Sequence, residues 1–342
     1  MKNKLSILKA EFPSVSLKSS YIPYKKVQDI LTPKLAFEWV EKAYMYMGSE
    51  SEKIQMPEKL YFFYPDGDMR VMPAVAQIDN KTITGTKIVS VHFENIKRRL
   101  PTVVGFYVLV DSKTGALLCL IDATYLTAMR TGASVAVATK YLFGQKTAKV
   151  GIIGCGVQAR TQIVFISDVL KIQELLIYDI SSKAIEKFSK FLKKFGLNFK
   201  VAKDLKEFSE CDVLITATPS REPFLKKEHV ENVKLINAIG ADGPGKQELD
   251  PKILSESVVV VDSREQAVYG GEINVPLKRG IIGEDIIFAE LGQIVSGKKK
   301  IQEQKRIVFD STGIAILDLF VSWGVYLKAS KNKNILKNIN IH

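Results

Sequence analysis

The chain has 342 residues, 46% hydrophobic and 25% charged, with 49 Lys and Arg against 37 Asp and Glu and a formal net charge of +12. This is an ordinary globular composition, so a disordered or low-complexity chain is excluded, and no apolar run reaches the ~20 residues of a membrane span. The length is generous for one core and comfortable for two domains.

Met1 to Phe12 contains lysines but neither a continuous apolar segment nor a small-residue cleavage site, which points to the cytoplasm rather than secretion. Thr32-Pro33 reads as a helix start, with Thr32 as cap and Pro33 in the first turn, and Leu35, Trp39, Ala43 and Met47 mark one apolar face. From Lys59 to Asp122 the period changes. Leu60–Tyr64, Arg70–Ile78, Ile83–Val91, Val103–Asp111 and Ala116–Ile121 read as consecutive strands, the last two joined by the turn Asp111-Ser-Lys-Thr-Gly115. This first part is α+β. A helix follows over Thr131–Tyr141, directly after Arg130.

Beyond Arg130 strands and helices alternate, the pattern of a parallel sheet covered on both faces. Residues 150–159, Val-Gly-Ile-Ile-Gly-Cys-Gly-Val-Gln-Ala, run from an apolar strand through a glycine turn into a helix. Gly154 permits the tight turn, Gly156 lets backbone approach a pyrophosphate, and small Ala159 lets the helix pack closely on its strand. The helix N-terminus, at Val157 and Gln158, turns free N–H groups toward phosphates. Ala159, Ile163, Ile166 and Leu170 keep helical spacing, and Leu175–Asp179 reads as a buried strand ending in a carboxylate. Asp179, followed by Ile180, stands where an adenosine ribose is held. A carboxylate there repels a 2′-phosphate and favours NAD over NADP, while Ser181 and Ser182 serve to cap the next helix.

Asp212–Thr216, Val233–Ile239 and Val258–Asp262 are the later strands, and Ala217-Thr-Pro-Ser220 and Gly240-Ala-Asp-Gly243 the turns at their carboxyl ends, where ligands bind in such sheets. Residues 313–330 form a last amphipathic helix, expected to return to the first domain. The fold class is α/β: a Rossmann dinucleotide-binding domain plus an α+β domain. Cys119, Cys155 and Cys211 are odd in number and far apart, and His92, His229 and His342 lack ligand spacing, so reduced thiols and no metal are expected. The lysines are spread through helices without interleaved aromatics, which reads as solvated faces; neither nucleic acid nor membrane is an expected partner.

Nine short stretches carry a resemblance. They are Gln55-Met-Pro-Glu-Lys59, Met69-Arg-Val-Met-Pro-Ala74, Gly85-Thr-Lys-Ile-Val-Ser-Val91, Leu100-Pro-Thr102, Met129-Arg-Thr-Gly-Ala133, Ile153-Gly-Cys-Gly156, Asn237 to Leu249, Gly270-Gly-Glu-Ile-Asn274 and Asp310-Ser-Thr-Gly313. Together they resemble the ornithine cyclodeaminase and mu-crystallin family over nearly the whole chain, most closely its archaeal-type alanine dehydrogenase branch. The resemblance implies a homodimer with an active site in the interdomain cleft. It also implies a Rossmann NAD-binding domain at 129–314, and a substrate and dimerisation domain at 1–128 with 315–342.

By the same resemblance Lys59 lies near the reacting amine and carbonyl, where many cyclodeaminase-type members carry arginine. Arg70, Lys87 and Arg130 approach the substrate, and an α-amino acid always offers them a carboxylate. Asp242, on its glycine-rich turn, is the implied general acid/base. Thr216, Thr218 and Ile239 line the adenine and ribose side, and Ser311 and Gly313 lie near nicotinamide. Taken singly, a lysine between Glu58 and Leu60, or an arginine on a strand, reads as a solvent-facing residue; the set reverses that reading. The expected function is NAD-dependent oxidative deamination of a small L-amino acid, alanine first, and its reverse. Ornithine cyclodeamination and cyclic ketimine reduction are the alternatives, and a small amino or imino acid is the partner in each.

Overall fold

The computed structural model describes residues 18–302, 305–332 and 335–340, so the Met1–Phe12 reading and His342 lie outside the described residues. The first elements are β1 (Lys18–Ile22), α1 (Tyr24–Ile30), α2 (Pro33–Ser49), β2 (Ile54–Gln55), β3 (Leu60–Tyr64), β4 (Gly67–Ile78), β5 (Lys81–His92), β6 (Val103–Val110) and β7 (Leu117–Asp122). Next come α3 (Thr124–Leu142), β8 (Thr147–Ile153), α4 (Val157–Val169), β9 (Lys171–Tyr178), α5 (Ser182–Phe195), β10 (Lys200–Val201), β11 (Val213–Thr216), β12 (Leu235–Ala238) and β13 (Val258–Val261). The chain continues through α6 (Arg264–Gly270), β14 (Ile287–Glu290), β15 (Ile307–Asp310), α7 (Ala315–Ser330) and β16 (Lys337–Asn340).

Two sheets result. The first runs β16-β1-β7-β6-β5-β4-β2, with β3 also on β4; it is antiparallel except where β1 lies parallel to β7. The second runs β10-β9-β8-β11-β12-β15-β13-β14, with its neighbouring strands parallel. From β8 the chain moves to β9 on one side and to β11 on the other, so the carboxyl end of β8 is the switch point at which such sheets bind ligands.

Local signals place many elements. Thr32 Oγ1 accepts the N–H of Leu35 at 3.2 Å and so starts α2 where expected. The buried stripe of α2 is Ala36, Val40, Ala43 and Tyr44, one position on from the expected face, and Leu35, Trp39 and Met47 flank it half-buried. The turn after β6 forms as read, with Gly115 N–H on the Asp111 carbonyl at 2.8 Å.

Other elements needed the fold. The helix expected at Thr131–Tyr141 begins seven residues earlier, at Thr124, whose N–H the Asp122 carboxylate accepts at 3.0 Å. Arg130 is therefore inside α3 rather than ahead of it, and the expected switch at residue 129 falls within this helix. α3 is buried along most of its length between α2, α4 and α7. The four-residue strands β14 and β15 were not among those expected; both are defined by parallel pairing with β13. β15 is interior, seated between β12 and β13.

One hydrophobic cluster joins the layers, including Tyr44, Val89, Ile121, Val135, Ile152, Phe309 and Phe320. A second, with Phe208, Leu214, Ile236, Val259 and Ile273, covers the other face of the second sheet. α7 packs on β4, β5 and α2, as expected for a helix returning to the first sheet.

Candidate active site

The glycine turn is built as its sequence requires. Gly154 has φ +97°, its N–H donates to the Tyr178 carbonyl at 2.9 Å, and a Cβ there would stand 2.6 Å from the Ala217 carbonyl oxygen. A Cβ at Gly156 would meet nothing within 4 Å, so backbone there opens on free space, and α4 begins beyond it with no side chain capping its N–H groups. The Asp179 carboxylate accepts from the N–H of Cys155 at 2.7 Å and of Ser181 at 2.8 Å, which fixes it across the mouth of the turn. Ser181 caps α5 through Ala184, leaving Asp179 to the groove. Gly154, Gly156, Asp179, Ile180 and Thr218 line that groove, and Ile180 is 96% exposed at its edge. An open cradle, free helix N–H groups and a fixed carboxylate suit a dinucleotide.

Two of the expected cofactor contacts face elsewhere. Ala159 is fully buried, performing the helix-packing role its size suggested without reaching the groove. Thr216 is likewise buried, its hydroxyl donating to Glu248 at 2.7 Å. Glu248 also accepts from the N–H and hydroxyl of Thr218, both at 2.7 Å, and from the Gly240 N–H at 3.0 Å. One carboxylate thus ties the groove turn to the loop carrying Asp242. Glu272 anchors that loop in turn by accepting the N–H of Leu249 at 2.9 Å.

Asp310 lies near these acids, and its fully buried carboxyl is pushed up to about 8 by burial, with Asp262 and Glu248 adding to the rise. The folded protein therefore holds a proton that the unfolded chain loses in the ordinary carboxylate range. This contribution to stability is complete below that range and is lost as pH rises through about 8. Melting temperature is expected to fall between pH 6 and 9, and Asp310→Asn to reduce that slope; an unchanged slope would clear Asp310 as its source.

The remaining expected residues converge. Lys59, Arg70, Lys87, Arg130, Gln158, Ile239, Asp242, Ser311 and Gly313 line one cavity between the two sheets. Ile239 is thus beside the cations rather than on the adenine side, because it follows the end of β12 at the cleft centre. Met72, Val89, Val91 and Val103 supply an aliphatic wall, and the Thr127 hydroxyl lies buried there without a hydrogen-bond partner among the described residues.

Lys59, just before β3, donates to the Thr312 carbonyl at 2.8 Å; burial, reinforced by the nearby Arg70 charge, lowers its ammonium to about 7. Arg70 on β4 grips Asp68 through Nε at 2.7 Å and Nη2 at 3.2 Å, and Asp242 Oδ2 through Nη1 at 2.7 Å. Lys246 Nζ donates to the other Asp242 oxygen at 2.5 Å, and Tyr61 donates its hydroxyl to the Asp242 carbonyl at 3.0 Å. Burial works to raise the Asp242 carboxyl, but Arg70 and Lys246 outweigh it and hold the group far below the usual carboxylate range. Lys87 on β5 and Arg130 on α3 share Asp318 of α7. Burial and the Arg130 charge lower Lys87 to about 7. Asp262 accepts from the Gly313 N–H at 2.7 Å and the Thr312 hydroxyl at 3.1 Å, which shapes the 311–313 loop.

Asp68, Lys246, Asp262 and Asp318 were missed in the sequence reading. Lys246 stands inside a quoted motif and Asp262 closes the run read as the strand Val258–Asp262, so both were within reach of it; Asp68 and Asp318 carry no local signal.

A parallel sheet with a glycine turn at its switch point, opening on a cation-rich cavity, defines a dinucleotide-fold protein with a site for an anionic small molecule. The chain belongs to the ornithine cyclodeaminase/mu-crystallin family, whose profile matches residues 24–333. It is 42% identical over 311 residues to an alanine dehydrogenase of Archaeoglobus fulgidus, covering 90% of this chain and 94% of that one. It is 36% identical to a Δ1-pyrroline-2-carboxylate reductase of Bacillus thuringiensis subsp. konkukian, covering 76% and 81%. Among solved structures, an archaeal alanine dehydrogenase dimer with bound NAD is similar at a TM-score of 0.88 and 40% identity, covering 95% of this chain and all of that one.

Proposed function

We propose that this protein is an NAD-dependent L-amino-acid dehydrogenase acting on alanine, which it deaminates oxidatively to the 2-oxo acid and ammonia, and that it runs the reverse. At the level of class it is an NAD-dependent oxidoreductase of amino or imino groups, as its relatives are. One observation carries the finer reading. Among the described residues Asp242 is the sole carboxylate lining the cavity, its oxygens are engaged by Arg70 and Lys246, and Met72, Val89, Val91 and Val103 give it an aliphatic side alongside the uncharged polar groups of Thr127, Thr131, Gln158, Ser311 and Thr312. A second ammonium, as on ornithine, would be buried there without an anion, whereas a methyl side chain meets matching surface.

Lys87 and Arg130 hold the substrate carboxylate and so orient the α-carbon. NAD, held at the glycine turn by Gly154, Gly156, Val157, Gln158 and Asp179, supplies the hydride acceptor. Lys59, lowered to about 7, exchanges the proton as the nitrogen changes state. Asp242 is kept ionised by its two cations and supplies fixed negative charge beside the developing positive nitrogen. This gives proton transfer mainly to Lys59, where the resemblance implied a general acid/base role for Asp242.

A second reading, reduction of a cyclic ketimine such as pyrroline-2-carboxylate, is supported by the same carboxylate site and aliphatic wall and by the reductase relative. Incubation with NAD and either alanine or ornithine, following NADH by absorbance and proline by chromatography, separates the possibilities. Net NADH with alanine is the expected result. Proline without net NADH would mean cyclodeamination, and NADH consumption with pyrroline-2-carboxylate alone would mean ketimine reduction. Absence of alanine turnover in both directions would sink the first reading.

The protein acts as a homodimer in this proposal. Phe62 and Phe63 of β3, Val104 and Phe106 of β6, and the nearby Ile96 and Leu100 are exposed on the first sheet's side of the molecule, an apolar surface that a second copy would cover. Cytoplasmic residence belongs to the same reading, and the three buried free thiols suit a reducing compartment.

A further inference from the structure

Gly240, Gly243 and Gly245 stand within the loop that carries Asp242, so its backbone has little stiffness of its own and the carboxylate must be placed from outside. A pair of neighbours on the first sheet does this. Tyr61 of β3 and Arg70 of β4 stand directly opposite each other in the antiparallel ladder, which puts both side chains on one face. Arg70 Nη1 reaches the Asp242 carboxylate at 2.7 Å, and the Tyr61 hydroxyl donates to the Asp242 main-chain carbonyl at 3.0 Å. A contact at the carboxylate alone would leave the backbone free to turn about it. A second contact, at the carbonyl, fixes the direction of the whole residue.

The close bond to that carbonyl is the one from Tyr61. Lys59 Nζ and Arg70 Nη1 face the same oxygen, but each stands 3.4 Å away, beyond the usual ~2.7–3.2 Å of an N–H···O bond. The Tyr61 ring is itself held in place. Phe63 stacks on it with centroids 6.0 Å apart and Tyr269 of α6 meets it at 5.7 Å. The Lys59 ammonium and the Arg70 guanidinium lie 5.6 and 5.4 Å from its centre. A Cβ on Gly243 would meet the ring edge at 3.4 Å, so the ring lies against the backbone that follows Asp242. A tyrosine kept in one orientation keeps the loop in one as well.

We infer that Tyr61 is a positioning residue for the reaction: from the opposite sheet, it fixes the direction in which Asp242 presents its carboxylate to the reacting nitrogen. The inference rests on the proposed role of Asp242.

The test is a double-mutant cycle on the full-length protein, with Tyr61→Phe, Asp242→Asn and the two combined. Steady-state kinetics are measured with whichever of alanine or pyrroline-2-carboxylate the wild type turns over. Tyr61→Phe keeps the ring and both cations beside it, and removes only the bond to the carbonyl. It is expected to lower kcat by about tenfold and to leave KM for the substrate within about threefold, because Lys87 and Arg130 still hold the carboxylate. In the Asp242→Asn background the same change is expected to cost at most about twofold, since no charge is left to aim. Wild-type kcat in Tyr61→Phe, a loss carried by KM instead, or an equal loss in both backgrounds overturns the inference alone. Full turnover by Asp242→Asn, or turnover of neither substrate by the wild type, overturns the role of Asp242 and the inference with it.

Discussion

Asp242→Asn is expected to lower kcat/KM for the amino acid by about 10³-fold while leaving NAD affinity nearly unchanged. The asparagine keeps the size and one acceptor oxygen, and Arg70 retains both contacts to Asp68, so the cavity should keep its shape. Lys246 remains partly exposed and can turn to water. What disappears is a negative charge held in place before the reaction begins, and such charges are worth most where water is excluded. The groove proposed for NAD is lined by other residues, from Ile153 to Phe224, so cofactor titration by fluorescence serves as the control. Turnover equal to the wild type in Asp242→Asn would remove Asp242 from the mechanism.

Replacing Lys59 is expected to cost as much and to change the pH profile as well. In Lys59→Met the apolar stem is retained, but the Thr312 carbonyl loses its donor and the cavity its proton-exchanging group. With the ammonium lowered to about 7, the neutral amine forms as pH rises through that value. Oxidative deamination needs the neutral amine to accept a proton, so kcat/KM in that direction should rise through about 7. The reverse amination needs the protonated form and should fall over the same interval. Lys59→Met should reduce turnover by about 10²–10⁴-fold and erase this inflection, leaving any limb that belongs to the substrate's own ammonium. A variant that is slow yet keeps the inflection would place the proton exchange on another group.

The two substitutions touch residues that were legible in different ways. Asp242 was visible as a carboxylate on a glycine-rich turn after an apolar strand, and its place at the carboxyl end of β12 follows from the alternating pattern. Lys59 had no such local mark, since a lysine at a strand edge is ordinarily solvated; it emerged through resemblance, and only burial makes it chemically useful. Thr216 shows the opposite case. It stands at the right end of the right strand, but its hydroxyl turns inward to Glu248, a residue 32 positions further along. Period and spacing say where a side chain starts, not which way it faces at a strand end.

Other misses share that cause. α3 starts early because Asp122 supplies an acceptor for Thr124, and because tertiary packing buries Leu126 and Met129. β15 has only four residues, yet pairing on both sides makes it an interior strand. A short apolar run is stabilised by neighbours that its own sequence does not name.

The amino-acid sequence by itself determined the dinucleotide turn, the alternation that yields a parallel sheet and the carboxylate closing β9. Each depends on contiguous residues and on backbone geometry within one or two elements. Only the tertiary structure decided which charges are free. Arg70 meets Asp242 across 172 residues of chain, Arg130 meets Asp318 across 188 and Lys87 meets Asp318 across 231. The physical reason is desolvation: a charge on an exposed strand needs no partner, but once the two sheets and α7 close over it, it must find one or lose its proton.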